Sequence, residues 1–359
     1  MATIRPISAP ASKPLISVVL PAFNEAAIIE KSLDTLCRYM AGLDADYRWE
    51  VIVVNDGSTD DTGLLAQQFA RSHPNVIVLH HPANFGMGQA LISAFKHCRS
   101  DCVITLDLDL SFSPDHIPVM LRAMRDTRAK VVVASPFAKG GRISNVPWMR
   151  RVLSSAANRF LARAAKTRLS SLTGVGRAYD GRFLRSINLK STGMNINQEI
   201  LFKAIMLRAR IVEIPAHLDW QFQLKAGGAR KSKMRIARQV LAVLMSGFLF
   251  RPMHFFLLPA LVLLAFSLYV NIWMFIHWWH EFQKFSQYTW FLDRASASVG
   301  AAYRAFPHTF IIGGITLVVS IQLISFAILA LQNKKYFEEL FHLGTTINTG
   351  VREGDSDEL

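Results

Sequence analysis

Cysteine is scarce in this sequence of 359 residues, which contains Cys37, Cys98 and Cys102 alone. These three do not show the paired spacing of zinc ligands, which argues against a cysteine-bound metal and is typical of a reducing compartment. An apolar signal-peptide core is also missing before Leu15, so we expect the first domain to stay in the cytosol. Residues 1–14 are rich in Pro, Ala and Ser, and we expect them to be disordered.

Two phosphate-binding motifs are missing as well. Gly86 and Gly88 precede a predicted helix, but the third glycine of a dinucleotide-binding fingerprint is absent. No Gly-x-x-x-x-Gly-Lys-Ser/Thr loop occurs in the sequence. These absences argue against a dehydrogenase and a P-loop nucleotidase. We instead expect Gly86 and Gly88 to allow tight passage of the chain near a bound base.

Acidic residues are outnumbered, with 26 Asp and Glu against 40 Lys and Arg, and the net charge is +14. Such an excess fits nucleic acid, anionic lipid or an acidic ligand. Much of the positive charge gathers near two uncharged runs, residues 255–279 and 310–331, each long enough to cross a bilayer. A nucleic-acid binder would explain the charge but not these runs, so we predict no nucleic-acid partner.

The two apolar runs predict a transmembrane hairpin over residues 253–333, and therefore an integral, multi-pass membrane protein. Arg251 before the first run and Lys334 and Lys335 after the second indicate that both ends, and the preceding domain, face the cytosol. Residues 234–252 have apolar positions at helical spacing and predict a helix in the membrane surface, and residues 334–359 a cytosolic tail. The alternative is a pair of buried helices in a soluble core.

Short apolar runs alternate with amphipathic segments over residues 15–233, which is typical of a doubly wound α/β sheet. The predicted strands are residues 16–20, 51–54, 76–79, 103–106, 131–134 and 211–215, and the predicted helices are residues 26–40, 62–72, 87–98, 115–127 and 148–166. Residues 139–142 are predicted to form a mobile loop.

Acidic turns follow two of the predicted strands. Asp56 comes directly after the second strand, and Asp107 and Asp109 come directly after the fourth. Parallel sheets bind ligands beyond the carboxyl ends of their strands, and adjacent carboxylates suit Mg²⁺ or Mn²⁺ bound to nucleotide phosphates. Asp56 would hold the base or ribose, Asp107 the ribose or metal, and Asp109 the metal. The alternative is that these residues cap helices.

Basic residues form two further candidate sites. Arg150, Ser154 and Asn158 share one face of a predicted helix, and Lys233 ends a basic stretch before the hairpin. Both groups suit the phosphate of an acceptor. A solvated helix surface explains the first equally well, and attraction to anionic headgroups explains the second. Glu199 either caps a helix dipole or positions Arg and Lys side chains.

In combination, these residues resemble family 2 glycosyltransferases, and within them the dolichol- or polyprenol-phosphate mannosyl- and glucosyltransferases. The resemblance runs from about Ile16 to Lys233, and the hairpin matches members with C-terminal anchors. Its motifs are Val-Leu-Pro-Ala-Phe-Asn-Glu at 19–25, Val-Asn-Asp-Gly-Ser at 54–58, Gly-Met-Gly at 86–88, Asp-Leu-Asp at 107–109, Gly-Gly at 140–141, Asn-Val-Pro-Trp at 145–148 and Ser-Lys at 232–233. It implies an α/β, GT-A-like nucleotide-binding domain with a mostly parallel sheet, followed by the transmembrane hairpin.

The resemblance also implies a role for each site residue. Contacts with the nucleotide sugar are expected from Pro21, Phe23, Glu25, Val54, Asp56, Asp107, Leu108 and Ser154. Catalytic roles are expected for Asp109, Arg150 and Lys233, the last two facing the lipid phosphate or the donor diphosphate. The metal ligands would be Asp107, Asp109 and the residue two positions later, which is often Gln in the family.

Three departures from the family pattern stand out. Ser111 occupies the position of that Gln, Ala-Ser-Pro at 134–136 replaces Gly-Ser-Arg, and the stretch 170–177 lacks its usual Asp. The predicted activity is inverting transfer of a sugar from a GDP- or UDP-sugar to dolichyl or undecaprenyl phosphate in cell-envelope glycan biosynthesis, with Mg²⁺ or Mn²⁺. The alternatives are another lipid, glycan or protein acceptor, and a catalytically silent nucleotide-sugar-binding membrane protein. Formation of a homo-oligomer stays open.

Overall fold

The computed structural model describes residues 13–165, 167–220 and 252–357. Lys233, the basic stretch that it ends, and residues 234–251 of the predicted membrane-surface helix lie outside the described residues, as do residues 1–12 of the segment expected to be disordered. The chain divides into two compact units, Met1–Phe250 with His342–Leu359, and Arg251–Phe341.

The first unit alternates strands and helices, as predicted. Its elements are β1 Leu15–Ala22, α1 Ile29–Ala41, β2 Arg48–Asn55, α2 Thr62–Ser72, β3 Val76–His80, α3 Met87–His97, β4 Cys102–Thr105, α4 His116–Thr127, β5 Val131–Ser135, β6 Arg142–Ser144, α5 Trp148–Ala165, β7 Arg177–Asp180, α6 Gly181–Ser186, α7 Ile196–Met206, β8 Ile211–Pro215 and β9 His217–Asp219.

Several predicted boundaries were wrong; β1, for example, extends to Ala22 rather than to residue 20, and β2 begins at Arg48 rather than at residue 51. Helix α1 begins at Ile29 rather than at residue 26, because the Glu25 carbonyl first accepts hydrogen bonds from the Ile28 and Ile29 amides in a turn. The loop predicted over residues 139–142 ends in strand β6, since Arg142 pairs with His217 of β9. Strand β4 ends at Thr105, one residue before the predicted end.

Seven strands form one sheet in the order β3-β2-β1-β4-β7-β5-β8, and β6 pairs with β9 in a second, small sheet. Strands β3, β2, β1 and β4 are mutually parallel, whereas β7 runs antiparallel to both β4 and β5. The prediction of a mostly parallel sheet is therefore confirmed.

Helices cover both faces of the large sheet, which explains the continuous apolar strands. One core cluster joins Val18 and Leu20 of β1 to Leu33 of α1 and Met120 of α4. The other core cluster lies on the opposite face and joins strand residues to α3, α5, α6 and α7. A strand buried on both faces reads as an uninterrupted apolar run, as the sequence shows here.

The second unit consists of long helices. They are α8 Pro252–Lys284, α9 Phe291–Ala305 and α10 Pro307–Asp357, of which the second unit includes the residues up to Phe341. Within α8 and α10, the segments Phe255–Lys284 and Pro307–Leu340 are long and apolar enough to cross a membrane. Their most apolar windows are 17% and 11% buried, unlike helices in a soluble core. The sequence did not predict α9, which lies in the charged loop between the two runs.

Candidate functional site

The order of the strands places a crevice between β1 and β4. The chain leaves β1 toward β2 and β3 on one side and returns to β4 on the other. Open α/β sheets bind ligands beyond the carboxyl ends of the strands at such a reversal. Pro21 lies next to the last residue of β1, Asp56 follows β2, and Asp107 lies just beyond β4, so the structure brings these predicted residues to one edge of the sheet.

Hydrogen bonds connect the turn after β1 to the turn after β2. Asn24, at φ +55°, donates its amide to Ser58 Oγ at 3.0 Å, and its side-chain oxygen accepts the Thr59 amide at 2.8 Å. The Glu25 amide donates to Thr62 Oγ1 at 2.7 Å. These contacts hold two motifs that are about 30 residues apart in the sequence side by side. The Phe23 ring, in the first of these turns, is partly exposed.

Asp56 is buried and shapes the loop before α3. Its Oδ1 accepts the Phe85 amide at 3.0 Å, and its Oδ2 accepts the Gly86 amide at 2.8 Å. His81 Nδ1 lies 2.7 Å from Oδ1, and His81 Nε2 lies 2.9 Å from Ser93 Oγ. Direct contact between Asp56 and a nucleotide stays a prediction. The described contacts show that Asp56 also holds Phe85, whose side chain is half exposed, at the edge of the crevice.

Gly86 and Gly88 allow a second segment to pass close to the start of α3, as predicted. A Cβ at Gly88 would lie 2.3 Å from the Ser191 carbonyl oxygen, and one at Gly86 would lie 2.8 Å from that of Thr192. Gly86 also has a φ of +95°, which disfavours other residues. The Gln89 amide donates a hydrogen bond to the Thr192 carbonyl, which connects the first turn of α3 to this second segment.

Glu199 holds the backbone at residues 190–191, where this second segment begins. Its carboxylate accepts the Lys190 amide at 3.0 Å and the Ser191 amide at 2.7 Å, and it pairs with Lys203. Burial opposes ionisation, but hydrogen bonds from Lys203 and Ser191 outweigh it and lower the pKa of Glu199. Of the two roles left open by the sequence, positioning a lysine is confirmed, and holding the backbone of residues 190–191 is an addition.

The Asp-Leu-Asp turn is tightly formed. The Leu110 amide donates to the Asp107 carbonyl at 3.0 Å, and Leu110 adopts a φ of +49°. Asp109 Oδ1 accepts the Ser111 amide at 2.9 Å. Asp109 and Ser111 are both buried, while Asp107 is partly exposed. Hydrogen bonds therefore fix the backbone of this turn, which carries the carboxylates of Asp107 and Asp109.

The chemistry of this turn fits a hard divalent cation whose coordination is completed by other ligands. Carboxylate and hydroxyl oxygens are the donors that Mg²⁺ and Mn²⁺ prefer. Among the described residues, no group of three or more His, Cys, Asp or Glu side chains could hold a metal alone. Mg²⁺ commonly uses one or two carboxylates with substrate phosphates and water, which matches a site built on Asp107 and Asp109.

A chain of contacts links this turn to Arg150. The Ser111 carbonyl accepts the Asp219 amide at 2.9 Å, and Asp219 Oδ1 accepts Asn145 Nδ2 at 2.6 Å. Next to Asp219, the Trp220 ring lies 5.1 Å below the guanidinium of Arg150. Asp219 and Trp220 were missed in the sequence, because the three-residue strand β9 is too short to show periodicity.

The inner face of α5 carries Arg150, Ser154 and Asn158, which confirms that they share a face. Asn158 is buried rather than on a solvated surface: its Oδ1 accepts the amides of Leu172 at 2.7 Å and Thr173 at 3.2 Å. Asn158 Nδ2 donates to the Ser154 carbonyl at 3.0 Å. A solvated-surface explanation therefore fails for Asn158, which instead anchors the stretch 170–177.

Arg177 and Glu213 anchor the same stretch, the one that lacks the family's Asp. The buried Arg177 guanidinium donates to the carbonyls of Gly174, Asn197 and Leu172 at 2.7–2.9 Å. Glu213 accepts the Ser170 and Ser171 amides at 2.8–3.0 Å. The altered stretch is visible in the sequence, but these anchors are not, since a charged residue within a strand leaves no periodic signal.

Two of the residues that were predicted to contact the nucleotide have their side chains in the core. Val54 is fully buried and Leu108 is nearly so, so any contact of theirs with a nucleotide would use the backbone. Pro21, Glu25 and Ser154 are partly exposed.

Comparison with known proteins places this site in a family. The model of the family described as "Glycosyl transferase family 2" matches residues 17–187. An undecaprenyl-phosphate mannosyltransferase from Micrococcus luteus is 31% identical over 206 residues, which cover 56% of this chain and 82% of the relative. A dolichol-phosphate mannosyltransferase from Pyrococcus furiosus is 27% identical over 224 residues, 61% of this chain and 59% of the relative.

Among solved structures, a glucosyl-3-phosphoglycerate synthase from Mycobacterium tuberculosis with UDP is similar, with a TM-score of 0.49, 21% sequence identity, and coverage of 68% of this chain and 86% of that one. The matched family segment spans β1 to the end of α6 and so contains every acidic residue of the crevice edge. The chain belongs to glycosyl transferase family 2, whose members include these polyprenol-phosphate sugar transferases.

Proposed function

We propose that this protein transfers a sugar from a nucleoside diphosphate sugar, a GDP- or UDP-sugar, to a polyprenyl phosphate, with inversion at the anomeric carbon. The observation that carries the proposal is the position of Asp56, Asp107 and Asp109 at the chain reversal between β1 and β4. The match with polyprenol-phosphate transferases of the same family supports this acceptor class.

The donor would lie along the edge formed by the turns after β1, β2 and β4. Phe85 is half exposed and held by Asp56, so its ring is available to stack on the base. Asp107 and Asp109 would hold Mg²⁺ or Mn²⁺, which when bound would neutralise charge on the donor diphosphate. With the donor on this edge, its sugar would point toward Arg150 and the small β6–β9 sheet.

The reaction needs little from a protein base. The lipid phosphate is mostly dianionic near neutral pH, because its second pKa is about 6. One of its oxygens would attack the anomeric carbon as the bond from that carbon to the donor diphosphate breaks, and the nucleoside diphosphate would leave. Arg150, partly buried against Trp220, would orient the attacking phosphate.

The outer face of α5 supports a location at a membrane surface. It exposes Trp148, Met149, Val152, Leu153 and Phe160. Three arginines, at positions 151, 159 and 163, are exposed on the same helix. Apolar and basic side chains together favour the surface of an anionic bilayer. We propose that α8 and α10 span that bilayer with the transferase domain in the cytosol, as the basic flanks at Arg251 and Lys334 suggest.

The test is to incubate the full-length protein with UDP- and GDP-sugars, a polyprenyl phosphate, and Mg²⁺ or Mn²⁺. We expect a lipid-linked sugar from at least one donor, and a loss of about 10²–10³-fold in kcat/KM for Asp109→Asn. Asp46→Asn, on an exposed turn remote from the crevice, is the matched control. No product from any donor would refute the proposal, and metal-dependent donor binding without turnover would instead support a silent nucleotide-sugar-binding protein.

A further inference from the structure

Helix α9 follows α8 and precedes α10 along the chain, and it has an apolar, exposed stripe. Leu292, Val299 and Tyr303 recur at intervals of seven and four residues and so lie on one face. Their exposed fractions are 72%, 44% and 45%, and Trp290, directly before the helix, is 75% exposed. We call these four residues the α9 stripe. Exposed apolar surface rimmed by polar residues is typical of sites that contact a membrane or another protein.

A neighbouring face of α9 packs within its own unit. Arg294 Nε donates to the Phe282 carbonyl of α8 at 2.9 Å, and its guanidinium lies 4.2 Å from the Phe282 ring. The Phe291 ring is 5.6 Å from that of Phe282. Ser298 and Ala302 are fully buried. Phe291 is still 66% exposed, and the Tyr303 ring lies 5.6 Å from that of Phe310. Packing within the unit therefore covers α9 only in part and leaves most of the α9 stripe on the surface.

Two contacts show how α9 is oriented. Near its start it touches Phe282, and just beyond its end Phe306 stacks on His277 with ring centres 3.8 Å apart. Phe282 and His277 are separated by about 7.5 Å along α8, whereas α9 is roughly 22 Å long. A helix running antiparallel beside α8 would end much further down. Helix α9 therefore lies largely across α8, at the level of Trp278 and Trp279.

We propose that α9 is an interfacial helix whose stripe inserts into the boundary between lipid headgroups and acyl chains. This inference rests on the proposed function in one respect, that α8 and α10 cross the bilayer. If they do, α9 lies in the plane of the far interface, beside the tryptophans that favour that depth. Trp290 and Tyr303 are themselves interfacial residue types. Asp293 and Arg304 lie about 100–120° round the helix from Leu292 and would face the headgroups.

The experiment measures the depth of single nitroxide labels in the full-length protein. Leu292→Cys and Val299→Cys place labels on the α9 stripe, and Asp293→Cys and Arg304→Cys are matched exposed controls on the same helix. Leu261→Cys and Ile321→Cys, at exposed positions within the two apolar segments, report on the spans. The proteins are reconstituted in vesicles of phosphatidylcholine and phosphatidylglycerol. Wild type is the blank, because Cys37, Cys98 and Cys102 are buried.

We expect labels on the stripe to collide more with oxygen than with a water-soluble nickel chelate, at about 5–10 Å below the phosphates. The labels at Asp293 and Arg304 should show the reverse preference. Equal access of nickel to stripe and control labels would overturn the inference, as would spin–spin broadening at the stripe, which would show a second copy covering it.

The labels at Leu261 and Ile321 separate the two proposals. If they are shielded from nickel while the stripe is not, the inference about α9 fails and membrane anchoring stands. If they too are accessible to nickel, the hairpin does not span the bilayer, and the membrane part of the proposed function fails with the inference. Sugar transfer is measured separately and does not enter this test.

Discussion

The two halves of the globular unit are held together in different ways. In residues 15–127, the donor half, each turn is fixed by short hydrogen bonds to the neighbouring turn, as between Asn24 and Thr59. In residues 131–220, the acceptor half, three polar side chains each anchor two or more backbone groups of one stretch: the buried Asn158 and Arg177, and the partly buried Glu213. The turns of the donor half are thus held by many separate contacts, whereas in the acceptor half three side chains each hold several backbone groups of the stretch 170–177.

The largest predicted effect is the loss of Arg177. Arg177→Met leaves three carbonyls, two of them buried, without their donor, and breaking such a buried charged network costs about 3–5 kcal/mol. We expect the thermal midpoint of the detergent-solubilised protein to fall by about 10 °C. Arg168→Met, at an exposed position, is the control and should change it little. Equal midpoints for the two variants would show that the acceptor half does not depend on this residue.

The contact between the halves is tested at Gly88. Within a helix, Gly to Ala normally stabilises by about 0.5–1 kcal/mol. Gly88→Ala should instead destabilise by about 1–3 kcal/mol, because its Cβ would lie 2.3 Å from the Ser191 carbonyl oxygen. Chemical unfolding measures the change, with Gly42→Ala as the control. Stabilisation by Gly88→Ala would mean that the segment 191–193 can move away, and that the two halves are loosely joined.

A smaller effect, confined to the donor half, is expected at Asp56. In Asp56→Asn the amide group can no longer accept both the Phe85 and Gly86 amides. We expect a cost of about 1–2 kcal/mol and, through displacement of Phe85, a roughly tenfold weaker nucleotide affinity by calorimetry. The KM for the polyprenyl phosphate should stay unchanged, and Asp61→Asn should leave both values as in wild type. A change in acceptor KM alone would contradict the division into halves.

The same contrast explains how much the sequence predicted. The strands β1–β5, the helices between them and the edge position of Asp56, Asp107 and Asp109 follow from periodicity and from the rules of parallel sheets. The strands β6, β7 and β9 were missed, because each is short and includes charged residues, unlike the apolar β4. Their places are set by partners far along the chain, as when Arg142 pairs with His217. Anchors such as Arg177 were missed for the same reason, since burial of a charge is decided by distant carbonyls.

The smallest predicted effect depends on pH and concerns Glu199. Its pKa is lowered in the folded protein, so its ionised form contributes stability above the unfolded pKa of about 4.3 and loses it as the pH falls through the folded value. The thermal midpoint of wild type should therefore exceed that of Glu199→Gln at pH 7, and the gap should narrow below about pH 4.3. The exposed Glu30→Gln controls for general charge effects. A constant gap across pH 3–7 would show that Glu199 holds residues 190–191 by shape, and that its charge contributes nothing.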